Sequence, residues 1–387
     1  MLKIAIYYHN YSTLGHVTKI FSLVRYLHQS LGGRIKIIVI ETGNSRIASG
    51  SLRNYADVYF FPRSIMPGQG GDTGKSNRIF KSNTTRLLRL LGDFTPQIFI
   101  TEYYPFAQNL SLYPELPYIL NYLKFSLKSK IVSSCTYPNW NDDLRRLIEN
   151  YYDAILIHWP HALSSGYRQY LPRDGISVLD GIFSDFRRKV FFTGFLLEKM
   201  QADKRIADSS KKKIGLKKGQ KLIVISRGGR REYGKVILYM LLIAKRHPEW
   251  YFLISAGALA RDKKISGIAS GLNNVALKEV IFPDFDSYLI ASDLSISMGG
   301  YNTVMRIIYY KKKSILIPAP NTEQAWNASL AQRRVGSVVL RWPVNGPVSL
   351  ENNISQMLSS KINAYPEVKR REFCGLENSA KIIGRLL

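Results

Sequence analysis

The stretch Asp293–Gln324 reads DLSISMGGYNTVMRIIYYKKKSILIPAPNTEQ. Its first apolar run, Leu294 to Ser297, has the length of a buried strand. A Gly-Gly turn follows at Gly299 and Gly300, then a polar cluster at Tyr301, Asn302 and Thr303, and then an amphipathic helical pattern. A second apolar run, Ser314 to Ile317, ends in Pro318 and Pro320, and a loop presents Glu323 and Gln324. A strand, a glycine turn, a helix and a strand in that order set backbone N–H groups and a helix N-terminus against an anion such as a phosphate.

Outward from this unit, the same alternation fills the chain. Strands are expected at Lys3–Tyr8, Ile35–Ile40, Tyr55–Phe60, Gln97–Thr101, Lys130–Ser134, Ala154–His158 and Val190–Thr193. Helical patterns run from Thr13–Lys19 to about Leu31, and over Thr85–Leu91, Pro117–Ser129 and Asp142–Asn150. Pro62 to Asn83, rich in Gly, Ser and Asn without a period, reads as a mobile loop. Between Gly194 and Lys221 the apolar pattern lapses into a charge run, which reads as a linker or a solvated helix face. It then restarts with a strand at Leu222–Ser226, a glycine-containing turn and a helix at Val236–Arg246. Strands alternating with helices argue parallel sheets covered on both faces. The expected fold is therefore α/β, with two Rossmann-like domains whose parallel sheets face a cleft. The boundaries read as 1–196, a basic linker at 197–220, a second domain at 221–365, and a terminal helix at 366–387. Ligands of such sheets bind beyond the carboxyl ends of the strands.

The 387 residues are too many for one ordinary domain. Cys135 and Cys374 are the only cysteines and have no ligand spacing, which favours a reducing, cytoplasmic setting. No apolar run approaches the roughly 20 residues that span a bilayer. The formal net charge of +27 calls for a polyanionic partner or an anionic surface, nucleic acid or the cytoplasmic lipid leaflet being the obvious candidates. No base-reading feature is visible. Tyr118–Lys130 mixes aromatics, leucines and lysines at helical spacing, which suits either shallow insertion into an anionic leaflet or a core-packed helix with a lysine edge.

Several motifs in the right order carry a family resemblance. They are GHVTK (Gly15–Lys19), TEYYPF (Thr101–Phe106), FFTGF (Phe191–Phe195), SRGG (Ser226–Gly229), SMGGYNT (Ser297–Thr303) and the pair Glu323-Gln324. With them the whole chain resembles sugar-nucleotide-dependent glycosyltransferases of the GT-B fold, and more distantly the muramyl-lipid N-acetylglucosaminyltransferase of peptidoglycan synthesis.

The resemblance implies a UDP-sugar co-substrate held by the C-terminal half and no separate cofactor. Ser297, Gly299, Gly300, Tyr301, Asn302 and Thr303 would meet the diphosphate. Ser226, Arg227, Gly228 and Gly229 would form a facing loop, with Arg230 and Arg231 beside it. Glu323 and Gln324 would contact sugar hydroxyls, and backbone groups near Phe282 would hold the uracil. The N-terminal half would bind a lipid-linked, glycan or small-molecule acceptor near Gly15. His16, expected in the loop after the first strand, is the candidate general base, because a near-neutral imidazole suits that task. It could equally be structural, shaping the Gly15 turn. Glu102 is the competing base or acceptor contact. His158 and His161 read as structural histidines. No Asp-x-Asp suited to a catalytic metal is present, so transfer is expected to invert and to need no metal. Relatives carry a Glu where this chain has Arg306, and there it accepts hydrogen bonds from the ribose hydroxyls. Arginine only donates and cannot do that. A UDP-N-acetylglucosamine 2-epimerase, a nucleotide-sugar hydrolase or a non-catalytic descendant on the same fold are the alternatives.

Overall fold

The computed structural model describes residues 1–10, 14–43, 52–63, 73–107, 110–136, 138, 142–160, 173–226, 233–279, 284–320, 322–360 and 369–387. The chain divides into two compact units. One comprises Met1–Leu197 with Arg371–Leu387, and the other Glu198–Arg370.

The first unit alternates strands and helices in chain order. They are β1 (Leu2–Asn10), α1 (Leu14–Leu31), β2 (Ile35–Gly43), β3 (Asp57–Pro62), α2 (Thr73–Phe94) and β4 (Ile98–Glu102). After them come α3 (Leu116–Asn121), β5 (Lys130–Cys135), α4 (Asp142–Tyr151), β6 (Ala154–Ile157), α5 (Arg173–Phe186) and β7 (Val190–Phe192). The strands form a seven-stranded sheet in the order β3-β2-β1-β4-β5-β6-β7, parallel throughout. Ile4, Ala5, Ile6, Tyr7 and Tyr8 of β1 are wholly buried. A central strand covered on both faces is apolar at every position rather than at alternate ones, which made β1 readable.

The second unit runs α6 (Lys204–Lys213), β8 (Lys221–Ser226), α7 (Gly234–Arg246), β9 (Trp250–Ser255), α8 (Lys263–Ser270) and β10 (Val275–Lys278). It continues with α9 (Phe285–Ala291), β11 (Leu294–Ser297), α10 (Tyr301–Tyr309), β12 (Ser314–Leu316), α11 (Thr322–Val335), β13 (Val338–Val339) and α12 (Gly346–Ser359). Its six strands are also parallel, in the order β10-β9-β8-β11-β12-β13. The alternation along β8 sorts its side chains between two cores. Ile223 and Ile225 join the α7 and α12 side with Phe252, Ile254 and Leu350. Leu222 and Val224 join Tyr251, Leu253 and Tyr288 on the other side.

Two expectations are corrected. The second half of the stretch read as a mobile loop over Pro62–Asn83, from Thr73 on, belongs to α2, which continues unbroken to Phe94. Residues 64–72 lie outside the described set. The charge run read as a linker holds α6, capped by Asp203, whose side chain accepts from Ile206 N at 2.9 Å. Ala207, Ile214 and Leu216 then pack on the core of the second unit, and Tyr251 donates its hydroxyl to Ile214 O. Ser210 is the only buried residue of α6, so the helix has no apolar stripe to announce it. Helix α13 (Gly375–Arg385) packs on α1 within the first unit. Its approach is tied by Phe195 N donating to Glu372 O at 2.7 Å and Asn378 Nδ2 donating to Thr193 O. None of the described helices is long and apolar enough to cross a membrane.

The turn from α7 into β9 is stapled to α12 by His247. Its Nδ1 lies 2.7 Å from Glu249 and its Nε2 2.7 Å from Glu351, with the ring stacked on Trp250. Burial works against the charged ring, but the bonds to the two carboxylates outweigh it and raise the His247 pKa above the ordinary value. A raised folded pKa stabilises the fold fully below the unfolded value, and that contribution disappears as pH rises through the folded one. Replacing His247 with Gln should therefore lower the melting temperature by about 3 °C at pH 6 and by less at pH 8.5. Thermal unfolding at the two pH values checks this.

Candidate functional site

In each sheet the strand order reverses once, between β1 and β4 in the first unit and between β8 and β11 in the second. Chain segments leaving the carboxyl ends of two such strands diverge and open a crevice for a ligand. The candidate residues fall at these two reversals.

In the second unit, Ser226 and Ser297 are register partners at the ends of β8 and β11. Ser297 is buried, and its Oγ has no hydrogen-bond partner among the described residues. The chain leaves β11 through Gly299 and Gly300 and enters α10 at once. Gly300 is the N-cap and, having no side chain, makes no side-chain capping bond. The polar cluster expected before the helix is part of it: Tyr301, Asn302 and Thr303 already belong to the first turn. The Tyr301 side chain is packed inside. The first N–H groups of a helix have no intrahelical acceptor, and they carry the positive end of its dipole.

The two glycines differ. Gly299 has φ +77°, and a Cβ there would lie 3.0 Å from Gln324 O. Its carbonyl accepts from the buried Asn327 Nδ2 at 3.0 Å. Gly300 has an ordinary φ of −64°, and a Cβ there would meet nothing within 4 Å. Gly299 is needed by the fold, whereas the space beside Gly300 is open.

Glu323 and Gln324 occupy the first turn of α11 rather than a loop. The Gln324 side chain braces the segment before it, with Oε1 accepting from Ala319 N at 2.9 Å. Arg227, Gly228, Gly229, Arg230, Arg231 and Phe282 lie outside the described residues. Arg306 is buried, donating through Nε to Asp286 Oδ1 at 2.7 Å and through Nη1 to Asn302 O at 3.0 Å. It pins the first turn of α10 to α9. No pattern in the sequence links Asp286 to Arg306, since they sit on different helices.

In the first unit, Gly15 is exposed and His16 lies in the first turn of α1, not in a loop. Glu102 ends β4, which pairs directly with β1. The two candidates, 86 residues apart in sequence, therefore meet. His16 Nδ1 is 2.8 Å from Glu102 Oε2 and 2.9 Å from Oε1. The His16 side chain is 19% exposed and that of Glu102 0%. Lys19, also buried, makes an ion pair with the same carboxylate. His16 and Lys19 are three apart on one helix face, a spacing that makes them neighbours. Burial alone would push the Glu102 pKa up, but His16 and Lys19 prevail and hold it below the usual carboxylate range. Tyr103 follows with φ +66°, its ring edge against His16 and its face under the Lys19 ammonium. His158 is wholly buried and satisfied by Ser134 Oγ at 2.7 Å and Thr193 Oγ1 at 2.9 Å, as a structural histidine is. His161 lies outside the described residues.

With this geometry in hand, the comparisons with known proteins give the class. Residues 242–383 match the model of the glycosyltransferase family 28 C-terminal domain. Sequence comparison with curated proteins finds no match. Solved structures are similar over the whole chain. The glycosyltransferase of kitacinnamycin has a TM-score of 0.63 at 14% identity, covering 100% of this chain and 99% of that one. MurG of Acinetobacter baumannii has a TM-score of 0.55 at 12% identity, with 100% of both chains covered. The UDP-GlcNAc 2-epimerase of Neisseria meningitidis, bound to UDP-GlcNAc, has a TM-score of 0.54 at 16% identity, with 99% of both covered. Identities this low make these likenesses of fold, and the fold is GT-B. The fold is thus that of GT-B proteins, MurG among them, and the match over residues 242–383 supports a glycosyltransferase on it.

Two stability predictions follow from the second unit. Gly299→Ala should destabilise by about 1–2 kcal/mol, because a side chain is strained at positive φ and crowds Gln324 O. Gly300→Ala should leave the melting temperature within about 2 °C of wild type. Arg306→Met should cost about 3–5 kcal/mol by stranding Asp286, and adding Asp286→Leu should recover most of it. Denaturant unfolding of the single and double variants measures both.

Proposed function

We propose that the chain transfers a hexosyl group, N-acetylglucosaminyl being the leading candidate, from a UDP-sugar to a hydroxyl acceptor with inversion. The observation that carries this reading is the His16–Glu102 contact, which supplies an oriented base at the strand reversal of the first unit. In the proposed step, His16 Nε2 takes the proton of the acceptor hydroxyl. The acceptor oxygen attacks the anomeric carbon from the face opposite the diphosphate. The bond from that carbon to the diphosphate oxygen breaks, and its electron pair leaves with the phosphate. Glu102 accepts from His16 Nδ1–H, fixing the tautomer and stabilising the imidazolium as it forms.

In the second unit, the start of α10 is the proposed seat of the diphosphate. Backbone N–H groups and the helix dipole suit a diphosphate there, and the open side of Gly300 leaves it room. This account assigns no metal to the step. Arg306 is committed to Asp286, so the ribose is gripped by other groups than the glutamate found in relatives. The UDP-GlcNAc bound by the Neisseria meningitidis epimerase, which shares the fold, supports a uridine nucleotide as donor.

A lipid-linked acceptor at the inner face of the cytoplasmic membrane fits the net charge of +27. It also fits the 58% and 55% exposure of Tyr118 and Phe125, which stand among lysines on the first unit. A bulky apolar ring on a basic surface is suited to an anionic leaflet.

His16→Ala should lower turnover about 10²–10⁴-fold while leaving donor affinity nearly unchanged. Gly300→Val should instead abolish donor binding in a protein that still melts cooperatively. Calorimetric titration with UDP-sugars and UDP-release assays over an acceptor panel read the two effects. Undiminished turnover in His16→Ala would remove that residue from the mechanism. Free sugar or an epimerised nucleotide sugar formed without any acceptor would favour a hydrolase or a 2-epimerase.

A further inference from the structure

Lys19 has no role in the step above, yet it is one of the few buried lysines, only 4% exposed. Its ammonium makes an ion pair with Glu102 and lies 4.4 Å from the Tyr103 ring centroid. A wholly buried carboxylate needs one positive charge close by. Two groups could provide it here, the Lys19 ammonium or a protonated His16. If His16 provided it, the ring would hold a proton on both nitrogens and could not act as a base.

Among the described residues, no other cation pairs with Glu102. From β1, His9 faces the site, and burial together with Arg63 and His16 lowers its pKa to about 4, so it is neutral. Tyr8, also from β1, is raised by burial and by Glu41 and stays protonated. From β5, the Cys135 thiol is pushed up to about 12 by burial and contributes no charge. Beyond β6, burial holds His158 well below its ordinary value, and Lys19 adds to that. Among the described residues, Lys19 is thus the only permanent cation paired with Glu102.

We propose that Lys19 is a positioning residue that acts through Glu102: it neutralises the buried carboxylate so that His16 remains a neutral imidazole, with Nδ1–H donating to Glu102 and no proton on Nε2. The inference rests on the reading of His16 as the base, but it concerns the state of the resting protein and can be tested without substrate.

The experiment is nitrogen-15 NMR of the histidine side chains in the full-length protein at pH 7. The His16 signals are identified by their loss in His16→Ala. In the wild type, Nε2 should show the shift of an unprotonated imidazole nitrogen. In Lys19→Met, both His16 nitrogens should move toward imidazolium shifts. Lys19→Arg should restore the neutral ring. The double variant Lys19→Met/Glu102→Gln should do so too, because it removes the charge that needs a partner. That double variant also guards against a Lys19→Met protein that fails to fold. An imidazolium in the wild type, or a neutral ring in folded Lys19→Met, would overturn the proposal. Failure of the base reading would look different: His16→Ala would keep its turnover whatever the nitrogen shifts are.

Discussion

Parallel pairing is the constraint on which the rest of this structure depends. With every strand pair parallel, each strand must be followed by a crossover, and all carboxyl ends of a sheet share one edge. Where the order of strands reverses, the segments leaving two neighbouring strands part company. In the first unit those neighbours are β1 and β4, and they bring His16 to Glu102. In the second they are β8 and β11, and they set Ser226 and Ser297 side by side before the Gly299–Gly300 turn. Both sites use the start of the helix that follows the central strand.

The chemistry of each site follows from what the fold buries there. In the first unit a carboxylate with no exposure is held ionised by two basic neighbours, which turns an ordinary histidine into an oriented one. In the second unit a helix begins with a glycine cap and a serine hydroxyl without a partner among the described residues. Glycine at that cap keeps the helix start accessible, while Gly299 and Asn327 fix the turn behind it. Arg306 acts behind the same turn, because its bonds to Asp286 and Asn302 O lock the first turn of α10 in place.

Much of the fold was legible because central strands announce themselves. Runs such as Ile4–Tyr8, Ile37–Ile40 and Leu222–Ile225 are apolar at consecutive positions, as strands covered on both faces are. α6 was hidden because it buries almost nothing along its length, so a charge run concealed a helix. The first half of α2 was hidden because Gly, Ser and Asn dominate it, and intrinsic propensity there pointed to a loop. In the site, the glycine turn and the histidine were readable as motifs. Their partners were not, since pairing Glu102 with His16 requires knowing that β4 lies against β1. Lys19 was within reach of sequence reasoning: once Thr13–Leu31 is read as a helix, a spacing of three puts it on the His16 face.

The central claim is that the start of α10 receives the donor diphosphate. Hydrogen–deuterium exchange of the full chain, with and without saturating UDP, tests it most directly. Slowed exchange is expected in the peptides covering Ser297–Val304, with the amides of β1 and β2 unchanged. Binding that protects the first unit while leaving Ser297–Val304 at its unliganded rate would contradict it.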